Sequence, residues 1–403
     1  MTVARITAAE AATRLGVKRE TIYAYVSRGL LTSERHIDGK SSTFDPAEID
    51  RLRRRKNDNR PGRLEVPVAS AITEVLDGSV SYRGHPLDEL VNAATGFEAV
   101  SELLWTGELT EPEPWSTDAG IAAAIGQSID ALAPGATAID RMMTGVVAGA
   151  AADPFRADRS HSGVMSSARI LIRTIVDALP VVGEPAGARI ADRLWARLTD
   201  ADPSNAHLLD LALVLLADHG MATSTLAARL AASTRAAPHA VLLAGLGAVS
   251  GPLHGAASGI VHQLFLDAEA TGADAALAAT VERDGKVPGV GHFIHRSCDP
   301  RHDLLMDRLA EADLPDDRMD IVAAVVSRVA DRIPVAPNVD LALGAFTYLT
   351  GMAVDAGELI FATARTAGWL AHAVEEYDEA PIRFRPVGRY EPRGAVTRPI
   401  TTD

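Results

Sequence analysis

Val287-Pro-Gly-Val-Gly-His292, running on to Asp299-Pro-Arg301, is the stretch on which the reading of this chain turns. Its glycines allow a ligand to come close to the backbone, and a histidine and an arginine follow. The same stretch carries a competing signal. His292, His295 and Cys298 recur at threefold spacing, with His302 beyond, and zinc sites use such atoms. No paired Cys cluster accompanies them, so no metal is expected, and His295 and Cys298 read as packing or surface residues.

Working outward, two more segments offer chemistry. Upstream, His254 sits in Gly251-Pro-Leu-His-Gly255, just before the helical run Ala256–Phe265. A helix N-terminus disfavours imidazolium, so His254 should stay neutral and donate a hydrogen bond. Downstream, Asp340 closes Pro337-Asn-Val-Asp340, between Val339 and the apolar Leu341–Leu343. Apolar surroundings raise a carboxyl pKa, which suits a general base. A helical run follows it, so on the residues alone a helix N-cap is the favoured explanation of Asp340. Arg301, Arg365 and Arg385, with His219 in Asp218-His-Gly-Met-Ala-Thr-Ser224, form a cationic set. Arginine pairs bidentately with carboxylates, which fits a dianionic substrate; surface ion pairing is the plainer alternative.

Around these segments the chain reads as helix. Of 403 residues 47% are hydrophobic but only 4% aromatic, and Ala and Leu dominate long stretches, a composition that favours helices in two or more domains. Helical periodicity fits Asp210–Ala217, Ser224–Ser233, Ile321–Arg332 and Leu359–Glu375. Val66–Leu76 reads as a strand leading into a hairpin over Gly78–Gly84. Gly245-Leu-Gly-Ala-Val-Ser250 only approximates a dinucleotide fingerprint, and close helix packing accounts for it better. A single cysteine rules out an intrachain disulfide, the N-terminus lacks the apolar core of a signal peptide, and no apolar run is long enough to span a bilayer. A soluble cytoplasmic protein is expected.

The net charge of −14 is unevenly spread. Residues 1–63 hold 14 Lys/Arg and 8 Asp/Glu, a net of +6; the remaining 25 basic and 45 acidic residues give −20. That split suggests two tasks. In the basic part Thr7 and Glu10 fit a capping box, Ala11, Ala12 and Leu15 follow, and Gly16 ends a first helix. A second fits Lys18–Arg28, with Ile22, Tyr25 and Val26 inward. Asp38-Gly39 marks the turn of a wing, a third helix runs from Asp45-Pro46 to Lys56, and 57–62 reads as linker. Leu15–Tyr23 and Arg28–Leu31 resemble the winged helix of the MerR and excisionase families. That resemblance implies DNA binding, with Lys18, Arg19, Thr21 and Tyr23 on the groove-facing helix and Arg35 and Lys40 on the wing. A helical docking module with a solvated basic face is the other reading.

The remainder resembles the citrate synthase family over about residues 64–390. Ser81–Leu90 and Glu102–Leu109 look like the opening of bacterial members. The segments around His219, His254, His292 and Asp340, then Arg365-Thr-Ala-Gly-Trp-Leu-Ala-His372 and Arg385-Pro386, follow in family order. The resemblance implies a mainly α fold, with a large domain (64–255 and 345–403), a small domain (256–344), a winged helix-turn-helix (1–58) and a linker (59–63). It implies condensation of acetyl-CoA with oxaloacetate to citrate and CoA in a homodimer, without metal or cofactor. Asp340 is then the base, His254 the donor to the thioester carbonyl, and His292 the group polarising the keto carbon. His219, Arg301, Arg365 and the partner subunit's Arg385 hold oxaloacetate. Val287, Pro288, Gly289 and Val290 take the adenine, and Arg296 lies near the CoA phosphates. The chain departs from the family at Gly220, Ala222 and Leu341, and lacks a His-Pro motif near 135–140. These changes bear on the substrate. They leave open propionyl-CoA, as in 2-methylcitrate synthases, or a regulator that senses CoA or oxaloacetate without turnover.

Overall fold

The structure, a computed structural model, describes residues 5–15, 17–27, 30–35, 42–46, 48–49, 52 and 67–386. The chain divides into two compact units, one ending at Ala69 and the other beginning at Ser70.

In the first unit, strand β1 (Ile6–Thr7) leads into helix α1 (Ala8–Leu15), and α2 (Arg19–Ser27) follows. Strands β2 (Ser33–Arg35) and β3 (Ser42–Phe44) are antiparallel, and β1 joins on the far side of β3 to give the order β1-β3-β2. The capping box forms. Thr7 N donates to Glu10 Oε2 at 2.7 Å, and Glu10 N donates to Thr7 Oγ1 at 3.3 Å. Ala8, Ala11, Ala12, Leu15, Ile22, Leu31, Phe44 and Ile49 close a small core, with Tyr25 and Val26 packed on it. Lys18, Arg19 and Tyr23 are exposed and Thr21 is half-buried. Strand β1 is an addition to the sequence reading; it forms because Ile6 and Thr7 register with Phe44 and Thr43. Arg35 closes β2. Lys40, the Asp38-Gly39 turn, the side chain of Arg35 and most of the third helix lie outside the described residues.

The second unit opens with the hairpin β4 (Thr73–Leu76) and β5 (Ser79–Tyr82), extended by β6 (His85–Pro86). The strand starts at Thr73, where pairing with Tyr82 begins; the described residues 67–72 ahead of it are not strand, and Val66 lies outside the described residues. Helices follow: α3 (Leu87–Asn92), α4 (Phe97–Thr106), α5 (Ala119–Asp130), α6 (Ala138–Ala152), α7 (His161–Ala178), α8 (Ile190–Leu198) and α9 (Ala206–Leu216). Then come α10 (Thr223–Ser233), α11 (Pro238–Val249), α12 (Ala257–Thr271), α13 (Ala273–Asp284), α14 (Pro300–Glu311), α15 (Asp316–Arg332), α16 (Val339–Leu349) and α17 (Ala356–Asp378).

The centre is α17, buried on nearly every face, with α9, α10, α11 and α4 against it. Gly245 in α11 explains one approach: a Cβ there would stand 2.6 Å from the Trp369 ring, so the near-fingerprint is indeed a helix-packing device. The hairpin is tied to α9 by Tyr82, whose buried hydroxyl lies 3.0 Å from Val214 O and 3.1 Å from Asp218 O. No helix among the described residues is long and apolar enough to cross a membrane.

Candidate active site

The glycine loop and the start of α16 are stitched together by backbone. Asn338 N donates to Gly289 O at 2.9 Å, Gly291 N to Ala336 O at 2.8 Å, and Asn338 Nδ2 to Gly291 O at 2.8 Å. Gly289 has φ +73°, and a Cβ on it would lie 2.9 Å from Leu341 Cα, so only glycine lets the loop settle on the helix. Val287, Pro288 and Gly289 are consequently buried. Asn338 Oδ1 accepts from Asp340 N at 2.9 Å and is the cap of α16. The N-cap reading of Asp340 is therefore corrected: Asp340 stands inside the first turn. Burial raises its carboxyl to about 6, and Asp299 adds to the rise, while Arg301 and Arg365 pull it down.

Three imidazoles gather at the end of the loop. His292 Nδ1 accepts from the N–H groups of Ile294 and His295, each at 3.1 Å. A neutral ring with Nδ1 accepting carries its proton on Nε2, so His292 presents an N–H donor. Burial, then the Arg301 charge, lowers its pKa to about 4. The His219 ring meets His292 edge-on at 5.1 Å, and its Nε2 lies 2.9 Å from His295 Nε2. Burial, and after it Arg301 and Arg365, holds His219 neutral as well.

His254 lies in the turn ahead of α12, with Nε2 2.8 Å from Ser224 Oγ and its ring edge-on to Phe361 at 5.3 Å. Its pKa falls to about 4. The neutral state expected from sequence is there with a different cause: burial first and Arg365 second, rather than a helix terminus.

The arginines differ. Arg301 is buried, with Nε 2.9 Å and Nη2 2.7 Å from the two oxygens of Asp299. Asp299 Oδ2 also accepts from Val339 N at 3.1 Å, linking α14 to α16. Arg365 is 1% exposed. Its Nε donates to Leu216 O at 2.8 Å and its guanidinium covers the Phe361 ring at 4.6 Å, yet Nη1 and Nη2 are buried with no hydrogen-bond partner. Burial brings it down to about 10, so it remains charged at neutral pH. A buried cation with two idle nitrogens is a site made for an anion, because leaving such donors unmatched is costly.

His219, His254, His292, Arg301, Asp340 and Arg365 thus share one electrostatic neighbourhood. Arg385 is exposed beyond the end of α17, and no contact among the described residues joins it to this group. Arg296 is exposed too; its backbone N–H donates to Asp77 Oδ1 at 2.9 Å. Of the two readings given to His295, packing or surface, the structure takes packing: it is 1% exposed, and its ring meets His219, 76 positions away. Ser224 and Asp299, which stand inside the quoted motifs but were given no role there, are the hydrogen-bond partners of His254 and Arg301.

Residues 64–387 match the family model described as citrate synthase, C-terminal domain. The chain belongs to the citrate synthase family. Residues 6–57 match the model of the MerR HTH family regulatory proteins. A citrate synthase of Haloferax volcanii is 32% identical over 190 residues, 46% of this chain and 50% of that protein. A 2-methylcitrate synthase of Mycobacterium tuberculosis strain H37Rv is 26% identical over 348 residues, 80% of this chain and 87% of that protein. The citrate synthase structure of Pyrobaculum aerophilum superposes with a TM-score of 0.67 at 23% identity, over 83% of this chain and 93% of that one. A Thermoplasma acidophilum citrate synthase, solved with carboxymethyl coenzyme A and oxaloacetate, gives 0.65 at 19% identity, over 85% and 97%. The second unit has the citrate synthase fold and belongs to acyltransferases of that type. Gly220, one of the departures from the family pattern, has φ +57°, a conformation in which a residue with a side chain would be strained.

Proposed function

We propose that the second unit condenses an acyl-CoA with oxaloacetate and water, giving citrate or a 2-alkyl analogue and CoA. Arg365 carries this reading: its two buried, unmatched nitrogens stand in the same neighbourhood as a carboxyl raised to about 6. A dicarboxylate supplies what Arg365 lacks, and Arg301 and His219 share the charge. His292 Nε2–H donates to the keto oxygen. Asp340 takes a proton from the carbon next to the thioester, and His254 donates to the thioester oxygen as the enol forms. The enol carbon then bonds to the polarised keto carbon. Water cleaves the resulting thioester, which releases CoA. Val287–Val290 take the adenine, Arg296 the phosphates, and the partner subunit's Arg385 completes the dicarboxylate site. A small domain (256–344) closes on a large one (64–255 and 345–403) and excludes water. The reaction needs no cofactor beyond its substrates.

Propionyl-CoA is the second reading, supported by relatives named 2-methylcitrate synthases. One methylene discriminates by only about 1–3 kcal/mol, so the two thioesters differ in degree. The first unit binds duplex DNA through α2, on the support of its exposed Lys18, Arg19 and Tyr23, the net +6 of residues 1–63 and its match to a regulatory family. Release of free thiol from acetyl-CoA and propionyl-CoA, each with oxaloacetate, tests the reaction. No thiol from either, in folded protein that still binds oxaloacetate, would establish a sensor instead of an enzyme. Selection of genomic fragments by the full chain tests DNA binding, and enrichment of no sequence rejects it.

A further inference from the structure

We infer that His295 is a positioning residue for the dicarboxylate, setting two substrate-facing imidazoles from one place. The inference rests on the reading of His219 and His292 as dicarboxylate contacts. Three observations carry it. The backbone N–H of His295 is one of the two donors that fix the His292 tautomer. The His295 ring stacks on His292 at 4.9 Å with 30° between planes. Its Nε2 meets His219 Nε2 at 2.9 Å.

A hydrogen bond between two Nε2 atoms demands opposite tautomers in two neutral rings, since one nitrogen donates and the other accepts. The proton position on His219, and therefore what His219 offers a ligand, is set by His295. The segment that carries the ring is itself held in place. The backbone N–H groups of Arg296 and Ser297 donate to Asp77 Oδ1 at 2.9 and 3.0 Å, and the Ser297 hydroxyl adds a third bond at 2.9 Å. The hairpin turn between β4 and β5 thereby anchors the segment that carries His295. Asp299 Oδ1 lies 4.0 Å from His295 Nε2.

The test compares His295→Phe, which keeps a stacking ring and removes the nitrogen, with His295→Gln, whose side-chain amide can place a nitrogen near Nε2. Oxaloacetate binding is measured by titration calorimetry, and KM and kcat by thiol release. A lost hydrogen bond of this kind corresponds to roughly a tenfold weaker Kd. We expect His295→Phe to raise the oxaloacetate Kd and KM about tenfold, with the acyl-CoA KM unchanged and thermal unfolding near wild type. His295→Gln should recover most of the loss. Unaltered oxaloacetate binding in folded His295→Phe overturns the proposal, and so does a Gln variant no better than Phe, since either outcome makes His295 packing alone. Failure of the underlying enzymatic reading looks different: the wild-type chain then releases no thiol, while oxaloacetate binding still reports on His295.

Discussion

At Asp340 two influences oppose each other. Burial raises the carboxyl, and the charges of Arg301 and Arg365 hold the rise to about 6. A base must be ionised to act, so kcat/KM should climb with pH through about 6 and level off above it. His254 and His292, at about 4, are already neutral throughout that range and contribute no limb. A profile still flat at pH 5 would refute the assignment. Asp340→Asn should lower turnover by roughly 10² to 10⁴ and leave oxaloacetate binding nearly unchanged.

Arg365 gives a second residue-scale prediction, in which stability and function diverge. Arg365→Met removes two buried nitrogens that have no partner together with the Nε bond to Leu216 O, so the ligand-free protein should change little in stability, while oxaloacetate binding is abolished. Calorimetric unfolding with and without oxaloacetate checks both, and a clear loss of stability in the ligand-free variant would contradict the account. His254, His292, Asp340 and Arg365 were singled out because each sits in a short motif, and the structure gathers them into one neighbourhood. The idle nitrogens of Arg365 and the His219–His295 bond were not, because both depend on segments far apart in the chain meeting in space.

For the elements, Asn338 is the position to probe. It caps α16 through Oδ1 and holds the glycine loop through Nδ2. Losing a cap costs about 1 kcal/mol and leaving the half-buried Gly291 carbonyl unmatched up to about as much again, so Asn338→Ala should destabilise by roughly 1–2 kcal/mol. Asn338→Asp keeps the cap and lacks the donor to Gly291, so it should be the milder change while still raising the acyl-CoA KM through a looser loop. Unfolding in denaturant together with that KM tests the pair, and equal stability of wild type and Asn338→Ala would remove Asn338 from this role. Sequence located Ser224–Ser233, Ile321–Arg332 and Leu359–Glu375 as helices, but their observed starts at Thr223, Asp316 and Ala356 come earlier. Periodicity marks the buried face, whereas ends are decided by local bonds such as Leu359 N to Asp355 O, which apolar spacing does not encode.

For the whole molecule, the reading that Arg385 serves a second copy has a direct test. Asp340→Asn and Arg385→Ala subunits, each inactive alone, should regain activity when mixed, because in a mixed dimer one site carries both defects and the other neither. Verified mixed dimers without activity would return Arg385 to its own chain or to no role. The charge split was drawn between Arg63 and Leu64, whereas the compact boundary falls at Ala69 and Ser70, because charge marks composition and not contacts.

Asp299 has one more consequence. The same carboxylate accepts from Arg301 N at the start of α14 and from Val339 N at the start of α16. If that carboxylate lets go of both helix ends in a single opening, the two amides lose protection together. In native-state hydrogen exchange Arg301 and Val339 should then share one opening free energy and respond alike to mild denaturant, marking the ends of α14 and α16 as parts of a single cooperative unit.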